Sequence, residues 1–148
     1  MRRKDLLFKL STAVHRAVFR ASRGRVLGTV VGLPVAELET TGRRSGLRRS
    51  TMLAVPILAE ERIVLVASFG GDDRHPAWYH NLRADPRVRI TIAGRSRHMV
   101  ARTADDAEHA ALWPRIVARY HGYAAYQART SRPIPVVILE PAVHPAAR

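Results

Sequence analysis

Four arginines, two glycines and three hydroxyl side chains are concentrated in residues 40–49, between two segments with the composition of β-strands. The arginines are Arg43, Arg44, Arg48 and Arg49. A guanidinium group presents a planar set of donors that suits phosphate and carboxylate oxygens. Glycines beside a strand permit positive φ and let backbone N–H groups turn toward a ligand. The stretch therefore indicates an anion-binding turn, although the composition alone also fits a solvated basic hairpin.

Aromatic side chains form a second group of candidate functional residues, at Trp78, Tyr79, Tyr120, Tyr123 and Tyr126. Arginines, backbone donors and tyrosines without an obvious nucleophile suit a flat, anionic, redox-active cofactor that carries the chemistry itself. Tyr126 could donate a proton or a hydrogen bond to a reduced substrate. Ordinary packing of the tyrosines on one helix face explains their spacing equally well.

Several common site types are missing from the sequence. No GxGxxG, GxxxxGK[ST], GxSxG or HExxH motif occurs, which argues against nucleotide loops, a serine nucleophile elbow and a zinc protease site. His75 and His80 are five residues apart and would not share a helix face, so no metal site is expected. The chain has no cysteine, which excludes disulfides and thiolate chemistry and favours a cytoplasmic protein.

Positive charge is concentrated near the N-terminus. Residues 1–50 contain twelve Lys or Arg and three acidic residues, so they carry +9 of the formal net charge of +13. This excess indicates an anionic partner: nucleic acid, an acidic membrane or a polyanionic small molecule. Residues 1–22 have the apolar spacing of a basic amphipathic helix, which either lies on an anionic membrane or docks on its own domain. No apolar run approaches the ~20 residues that cross a bilayer.

The remaining pattern is typical of one mainly β domain. We assign residues 1–32 to the basic helix and a connector, and residues 33–148 to the domain. Predicted strands cover 35–40, 50–59, 63–68, 88–93, 97–103 and 134–139, with helices over 76–84, from 105 onward and over 123–129. Pro56 implies an edge or a bulge, Pro114 a bent or restarted helix, and Gly94-Arg95 a tight turn. About six antiparallel strands with peripheral helices predict an α+β barrel rather than a Rossmann fold.

Six blocks of the sequence resemble the deazaflavin-dependent nitroreductase family of actinobacteria. The blocks are 40–46 (TTGRRSG) with Arg49, 67–71 (ASFGG), 75–82 (HPAWYHNL), 111–114 (ALWP), 123–127 (YAAYQ) and 132–137 (RPIPVV). Together they run from about residue 35 to residue 141. The resemblance implies a split β-barrel that binds coenzyme F420 and transfers a hydride from it to a quinone, a nitroaromatic or an enone-like small molecule.

The resemblance also implies roles for individual residues. The cofactor phosphate and tail would meet Arg43, Arg44, Ser45 and Arg49, while Arg48 stays solvated. Further cofactor contacts would come from Ser50, Thr51, Ala67, Ser68, Phe69, Gly70, Pro76, Ala77, Trp78, Tyr79 and Asn81. Tyr126 and Ser68 would be catalytic, and the substrate pocket would be lined by Tyr123, Tyr126, Arg129 and Ala54.

Three positions depart from the family pattern. Phe69 stands where many relatives have lysine, and Ala54 and Arg129 stand where the nitroimidazole-activating member has tyrosines. Nitroimidazole activation is therefore not inferred. Two alternatives stay open: a split barrel that uses FMN or heme, and a non-catalytic binder of nucleic acid or anionic membrane driven by the basic N-terminal third. The enzyme hypothesis, which needs no nucleic acid, places the protein in the cytoplasm, where residues 1–22 either attach it peripherally to the inner face of the membrane or dock on the domain.

Overall fold

The computed structural model describes residues 29–30 and 32–142. Eight strands of this part form one antiparallel sheet. They are β1 (Thr29–Val30), β2 (Leu33–Thr41), β3 (Arg48–Ala54), β4 (Ile57–Leu58), β5 (Ile63–Val66), β6 (Arg87–Ile92), β7 (Arg95–Thr103) and β8 (Val136–Pro141). The helices of the same part are α1 (Ala77–Ala84), α2 (Asp106–Arg119) and α3 (Gly122–Ala128), with a 3-10 turn at Phe69–Gly71.

One stretch of chain closes the sheet into a barrel. β2 pairs with β3 on one edge and with β6 on the other, and the sheet continues through β7, β8 and β5 to β4. Only Val55 and Pro56 separate β3 from β4, so the same stretch pairs with β2 at its start and β5 at its end. The strand is interrupted at Pro56 because proline cannot donate to a ladder. If β3 and β4 count as one strand, the six predicted strands are confirmed, with β1 in addition.

Buried apolar side chains form two clusters on opposite faces of β5 and β8. The first, inside the barrel, contains Leu65 and Leu139 and receives Trp78 and Leu82 from α1. The second lies between the sheet and helices α2 and α3. Its buried members are Leu33, Val64, Val66, Leu112, Ile116, Tyr123, Ile134, Val136 and Ile138. Both faces of β8 are therefore covered, which explains why its sequence does not alternate.

Some predicted boundaries were wrong. The β6–β7 hairpin turns at Ala93 and Gly94, not at Gly94-Arg95, and Ile92 pairs directly with Arg95. A two-residue turn of this type needs positive φ at both positions, and the φ values are 50° at Ala93 and 79° at Gly94. Alanine gives no signal for that conformation. β8 begins only at Val136, two residues later than predicted.

The helices begin close to the predicted positions, but one of them continues where a restart was predicted. Asp105 caps α2 by accepting from the backbone N–H of Glu108 at 2.8 Å, and the Glu108 carboxylate accepts in return from the N–H of Asp105. α2 runs as one helix through Pro114, so the predicted restart there was wrong. α1 begins at Ala77 with Pro76 as its N-cap residue.

The predicted amphipathic helix over residues 1–22 lies outside the described residues. Its attachment to a membrane, and the division of the chain at residue 32, stay predictions. Within residues 29–30 and 32–142, no helix is long and apolar enough to span a membrane.

Candidate cofactor-binding site

The arginine-rich stretch folds into a tight turn between β2 and β3, which we call the arginine turn (residues 42–49). The N–H of Gly42 donates to the Leu47 carbonyl at 2.7 Å, and the N–H of Leu47 donates to Oγ of Ser45 at 3.1 Å. A Cβ on Gly42 would lie 2.6 Å from that Oγ and 3.2 Å from the Leu47 carbonyl oxygen, so a larger residue would displace the Ser45 side chain from its bond to Leu47. The Ser45 hydroxyl is thus used to shape the turn, while Arg43, Arg44 and Arg49 are exposed.

Asn81 fixes the arginine turn to helix α1. Its Oδ1 accepts from the backbone N–H of Arg43 at 3.1 Å, and its Nδ2 donates to Oγ1 of Thr40 at 3.2 Å. The Asn81 residue is only 7% exposed. Because its amide oxygen and nitrogen are both engaged with the protein, Asn81 positions the turn rather than reaching out to a ligand.

Strand register assigns the arginines to two faces. Thr40 pairs with Arg49 and Thr41 with Arg48, so Arg49 shares the face of Thr40, to which α1 packs. Arg48 lies on the opposite face, exposed, with its Nη1 3.5 Å from Glu39 Oε2. The guanidinium groups of Arg43, Arg44 and Arg49 form no ion pair with any described residue. These three cations are therefore available to an anionic ligand, and the register and Asn81 bring Arg49 and Arg43 to the α1 side.

The two β3 residues predicted to contact the cofactor, Ser50 and Thr51, also lie on opposite faces of the strand. Thr51 lies on the face of Arg49, whereas the Ser50 side chain points to the other face and donates to Glu37 Oε1 at 3.0 Å. Among the described strands β3 pairs with β2 alone. Its second edge therefore presents backbone N–H and C=O groups, and these, not the Ser50 hydroxyl, can meet the polar edge of a ring.

The loop after β5 has an unusual backbone. Phe69, Gly70 and Gly71 all have positive φ, at 45°, 63° and 83°. For a bulky residue such as Phe69 this conformation is a rare, strained one, of the kind found at functional sites. Nothing lies within 4 Å of a Cβ built on Gly70, so the loop borders open space there. Arg74, with its guanidinium carbon 5.5 Å from the centroid of the Phe69 ring, brings a cation near the position where many relatives have lysine.

Helix α3 packs directly against this loop. A Cβ on Gly71 would lie 2.7 Å from the Tyr126 carbonyl oxygen and 3.0 Å from Cβ of Arg129. Nη1 of Arg129 donates to the Gly70 carbonyl at 3.2 Å, and its guanidinium carbon lies 5.6 Å from the centroid of the Tyr126 ring. Arg129 and Tyr126 are thus brought beside the loop that holds Ser68 and Gly70, as the prediction of one pocket requires.

The tyrosines of this region differ in exposure. Tyr123 is 5% exposed, and burial raises the pKa of its hydroxyl. Tyr126 is half-buried, with its ring centroid 6.1 Å from that of Tyr123. A hydrogen bond with Tyr120 and then burial raise the pKa of Tyr126, so its phenol is protonated at neutral pH and can donate. Tyr123 is therefore packed in the core, whereas the side chain of Tyr126 is partly accessible to solvent.

Two predicted cofactor residues have their side chains in the barrel core. Trp78 and Tyr79 are buried in the first cluster, and the Tyr79 hydroxyl lies 2.9 Å from Oγ1 of Thr103. They anchor α1, so contacts of 76–79 with a ligand would come from the backbone at the start of the helix. Ala54, the small residue predicted in the pocket wall, packs half-buried against the second cluster, as does Tyr126.

Sequence reasoning missed two histidines that lie between the arginine turn and the loop. The rings of His75 and His80 have centroids 5.5 Å apart. Burial, followed by nearby cations, lowers the pKa of both: Arg132 acts on His75 and Arg43 on His80. Their position just before and within α1 was visible in the sequence, but their proximity to arginines more than thirty residues away was not. Within the described part of the chain, no three His, Asp or Glu residues are grouped to hold a metal ion.

These histidines predict a pH-dependent stability. Because the folded-state pKa of His75 is below its ordinary 6.5, the unfolded chain binds the proton more readily. The contribution of neutral His75 to the free energy of unfolding is therefore fully present above pH 6.5. It is lost as the pH falls through the folded-state pKa. We expect His75→Asn, whose amide oxygen replaces Nδ1 as an acceptor, to show a smaller loss of Tm between pH 7 and pH 5 than the wild type, measured by thermal unfolding. His98→Asn, at an exposed site on β7, is the control; equal losses in wild type and His75→Asn would contradict the prediction.

A polar cleft adjoins the arginine turn at Thr40, Thr41 and Arg48. It has a volume of about 330 Å³ and is lined by Glu39, Arg48, Asp85, Arg87, Arg89 and His98, among others. Its charges are mutually paired: Glu39 lies within 3.5 Å of Arg48 and Arg89, and Asp85 lies 2.9 Å from Arg87. Paired, exposed charges leave little net attraction for a ligand, so the cleft is not assigned as the cofactor site.

The residues of the site fit an extended anionic cofactor with a flat ring. Three guanidinium groups with no ion-pair partner in the described part of the chain stand at one end, and Asn81 of α1 bonds to the turn that carries them. The open side of Gly70 and the free edge of β3 leave room for a ring beside backbone donors. An antiparallel barrel with such a groove defines a split-barrel, flavin-type oxidoreductase class.

The chain belongs to the F420H(2)-dependent quinone reductase family, whose profile matches residues 11–141. An F420H(2)-dependent quinone reductase of Mycobacterium tuberculosis is 39% identical over 131 residues, which cover 85% of this chain and 87% of that protein. The family membership and the F420-dependent oxidoreductase activity expected from the six sequence blocks are thereby confirmed.

Two solved structures are also similar. The structure of an F420-H2 dependent reductase, FDR-A, has a TM-score of 0.66 at 36% identity, over 72% of this chain and 94% of that one. A second, described as a domain-swapped dimer, has a TM-score of 0.68 at 31% identity, over 94% of this chain and all of the other.

Proposed function

We propose that this protein reduces quinones with F420H2 bound between the arginine turn and the loop at 67–71. Arg43, Arg44 and Arg49 hold the phosphate and the first part of the anionic tail. The ring lies against residues 67–70 and the free edge of β3. The observation that carries this placement is the set of three guanidinium groups in one turn that pair with no described carboxylate, with Arg43 and Arg49 linked to the α1 side by Asn81 and by the strand register.

Reduced F420 supplies a hydride, and the quinone takes up that hydride and a proton to give the hydroquinone. The protein positions the cofactor and the quinone and supplies the proton. Tyr126 is half-buried beside the loop, and its phenol is protonated at neutral pH, as that of any tyrosine with an ordinary or raised pKa is. Its Oη can therefore donate to a quinone oxygen while negative charge develops there. Ser68 Oγ bonds to no described side chain or backbone group, so it is free to donate to the ring or the acceptor.

The pocket wall favours a flat acceptor of modest bulk. Ala54 contributes only a methyl group, and the Arg129 guanidinium is held between the Gly70 carbonyl and the Tyr126 ring. A cation at that place attracts the electron-rich oxygens of a quinone. Nitroaromatic and enone-like acceptors are secondary candidates, because they present a weaker or single acceptor oxygen.

The direct test is anaerobic mixing of the full chain with F420H2 and a soluble quinone such as menadione, following the return of oxidised deazaflavin absorbance. A nitroaromatic, an enone and NADPH in place of F420H2 serve as comparisons. We expect quinone-dependent oxidation of F420H2 and none of NADPH. Oxidation of NADPH alone, or no quinone-dependent turnover, would overturn the proposal.

A further inference from the structure

Arg132 lies outside all the roles given above, yet its guanidinium is the most fully engaged in the loop region. Nε donates to the Asp72 carbonyl at 2.8 Å, and Nη2 donates to the Ser68 carbonyl at 2.8 Å. Nη1 donates to the Ala67 carbonyl at 3.2 Å and lies 3.1 Å from Nδ1 of His75. All four acceptors belong to the segment 67–75, which is the segment proposed to receive the ring.

Arg132 does not form an ordinary ion pair. The carboxylate of Asp72 is engaged by Arg74 at 3.0 Å, and that of Asp73 accepts from Thr130. The half-buried Arg132 guanidinium binds three carbonyls and a neutral imidazole. Its desolvation costs free energy, and surface ion pairing does not explain why the side chain lies there. Its fork geometry suits four acceptors spread over nine residues, which a lysine ammonium cannot span.

The carbonyl contacts determine where the backbone donors of the loop point. The described chain has no cis peptide bond, and in a trans peptide the C=O and the following N–H point in opposite directions. Since Arg132 draws the Ala67 and Ser68 carbonyls toward itself, the N–H groups of Ser68 and Phe69 are directed away from it. Arg132 therefore sets the direction of two amide donors at the place where the ring is expected.

The same residue is also held to helix α3. Nε2 of Gln127 donates to the Arg132 carbonyl at 2.8 Å, and Oε1 of Gln127 accepts from the N–H of Ile134 at 2.9 Å. Gln127 follows Tyr126 directly in the chain. The segment that carries Arg132 thus joins the substrate-side helix to the cofactor-side loop.

We propose that Arg132 is a positioning residue, which aims the amide donors of Ser68 and Phe69 at the deazaflavin and fixes the loop relative to Tyr126. This inference rests on the proposed function for the identity of the ring. The orientation of the loop by Arg132 does not depend on any cofactor, so the two can be tested apart.

The test compares hydrogen exchange of the cofactor-free protein with F420 affinity, for wild type, Arg132→Lys and Arg132→Gln. Arg102→Gln is the matched control, because Arg102 is equally engaged, with Glu108 and Glu140, on another face. We expect amide exchange in 67–75 to accelerate at least about tenfold in both Arg132 variants, while β5 and β8 stay protected. The Kd of F420 should rise at least about tenfold, more in Arg132→Gln than in Arg132→Lys.

Chemical rescue supplies a readout that general destabilisation would not move. In Arg132→Ala, millimolar guanidinium should restore F420 affinity, whereas sodium chloride at equal ionic strength should not. Unchanged exchange in 67–75, exchange that rises equally in β5 and β8, or absence of rescue would each overturn the positioning role. If the wild type itself fails to bind F420 while Arg132→Gln still loosens the loop, the proposed function fails and the orientation of the loop by Arg132 stands.

Discussion

Replacing Arg43 and Arg49 together with alanine should weaken F420 binding by about two orders of magnitude. Hydrogen bonds to charged groups contribute about 1.5–3 kcal/mol each, and the lower figure applies to exposed side chains such as these. Two such losses amount to about 3 kcal/mol, or roughly 100-fold in Kd. The fold should be unaffected, since both side chains are exposed and pair with no described residue.

The measurement is a fluorescence titration with oxidised F420 at two salt concentrations. Wild-type affinity should fall as salt rises, and the double variant should depend on salt more weakly because fewer charges meet the ligand. Arg48→Ala is the matched control: it removes a cation from the same turn, but from the face of Glu39. A Kd that rises equally in Arg48→Ala and in the double variant would show that only the general field of the turn matters.

Tyr126→Phe is expected to lower turnover about 10- to 100-fold while the Kd of F420 stays within twofold, because proton transfer from a positioned acid contributes at least about that much. The ring, its packing with Tyr123 and its contact with Arg129 are all retained in phenylalanine. Only the hydroxyl and its hydrogen bond with Tyr120 are lost.

Single-turnover oxidation of F420H2 by menadione, beside a cofactor titration, separates the two effects. Tyr79→Phe is the control, because its hydroxyl bonds Thr103 in the barrel wall and takes no part in the proposed chemistry. Turnover of Tyr126→Phe equal to that of the wild type would reduce Tyr126 to a packing residue.

Local patterns in the sequence were enough to predict much of the barrel. Alternation predicted the strand over 35–40, and Pro56 predicted an edge or a bulge where the structure interrupts the strand between β3 and β4, because proline lacks a backbone N–H. The helix N-terminus at Asp105 was also predicted from residues that are adjacent in the sequence. The turn at Ala93 was not predicted, since alanine is usually found at negative φ and only the register of two strands forces it otherwise.

The sequence grouped candidate site residues that are close in the chain, and it gave no sign of contacts between residues that are far apart. The arginine turn is a continuous stretch, and strand alternation alone could have separated Ser50 from Arg49 and Thr51. Which face meets α1 depends on Asn81, 38 residues from Arg43. The contacts of Arg132 span 57–65 residues, and its motif gave no sign that the guanidinium turns back to the loop. Such contacts arise only when the barrel brings β5 and β8 together.

The most direct measurement is a parallel titration of the full chain with oxidised F420, FMN and heme. The arrangement of three unpaired arginines, an open loop at Gly70 and a free strand edge predicts micromolar binding of F420, with FMN and heme at least about tenfold weaker. The F420 signal should be lost in the Arg43 and Arg49 double variant. Tight binding of FMN or heme without measurable binding of F420 would contradict the assignment of this groove.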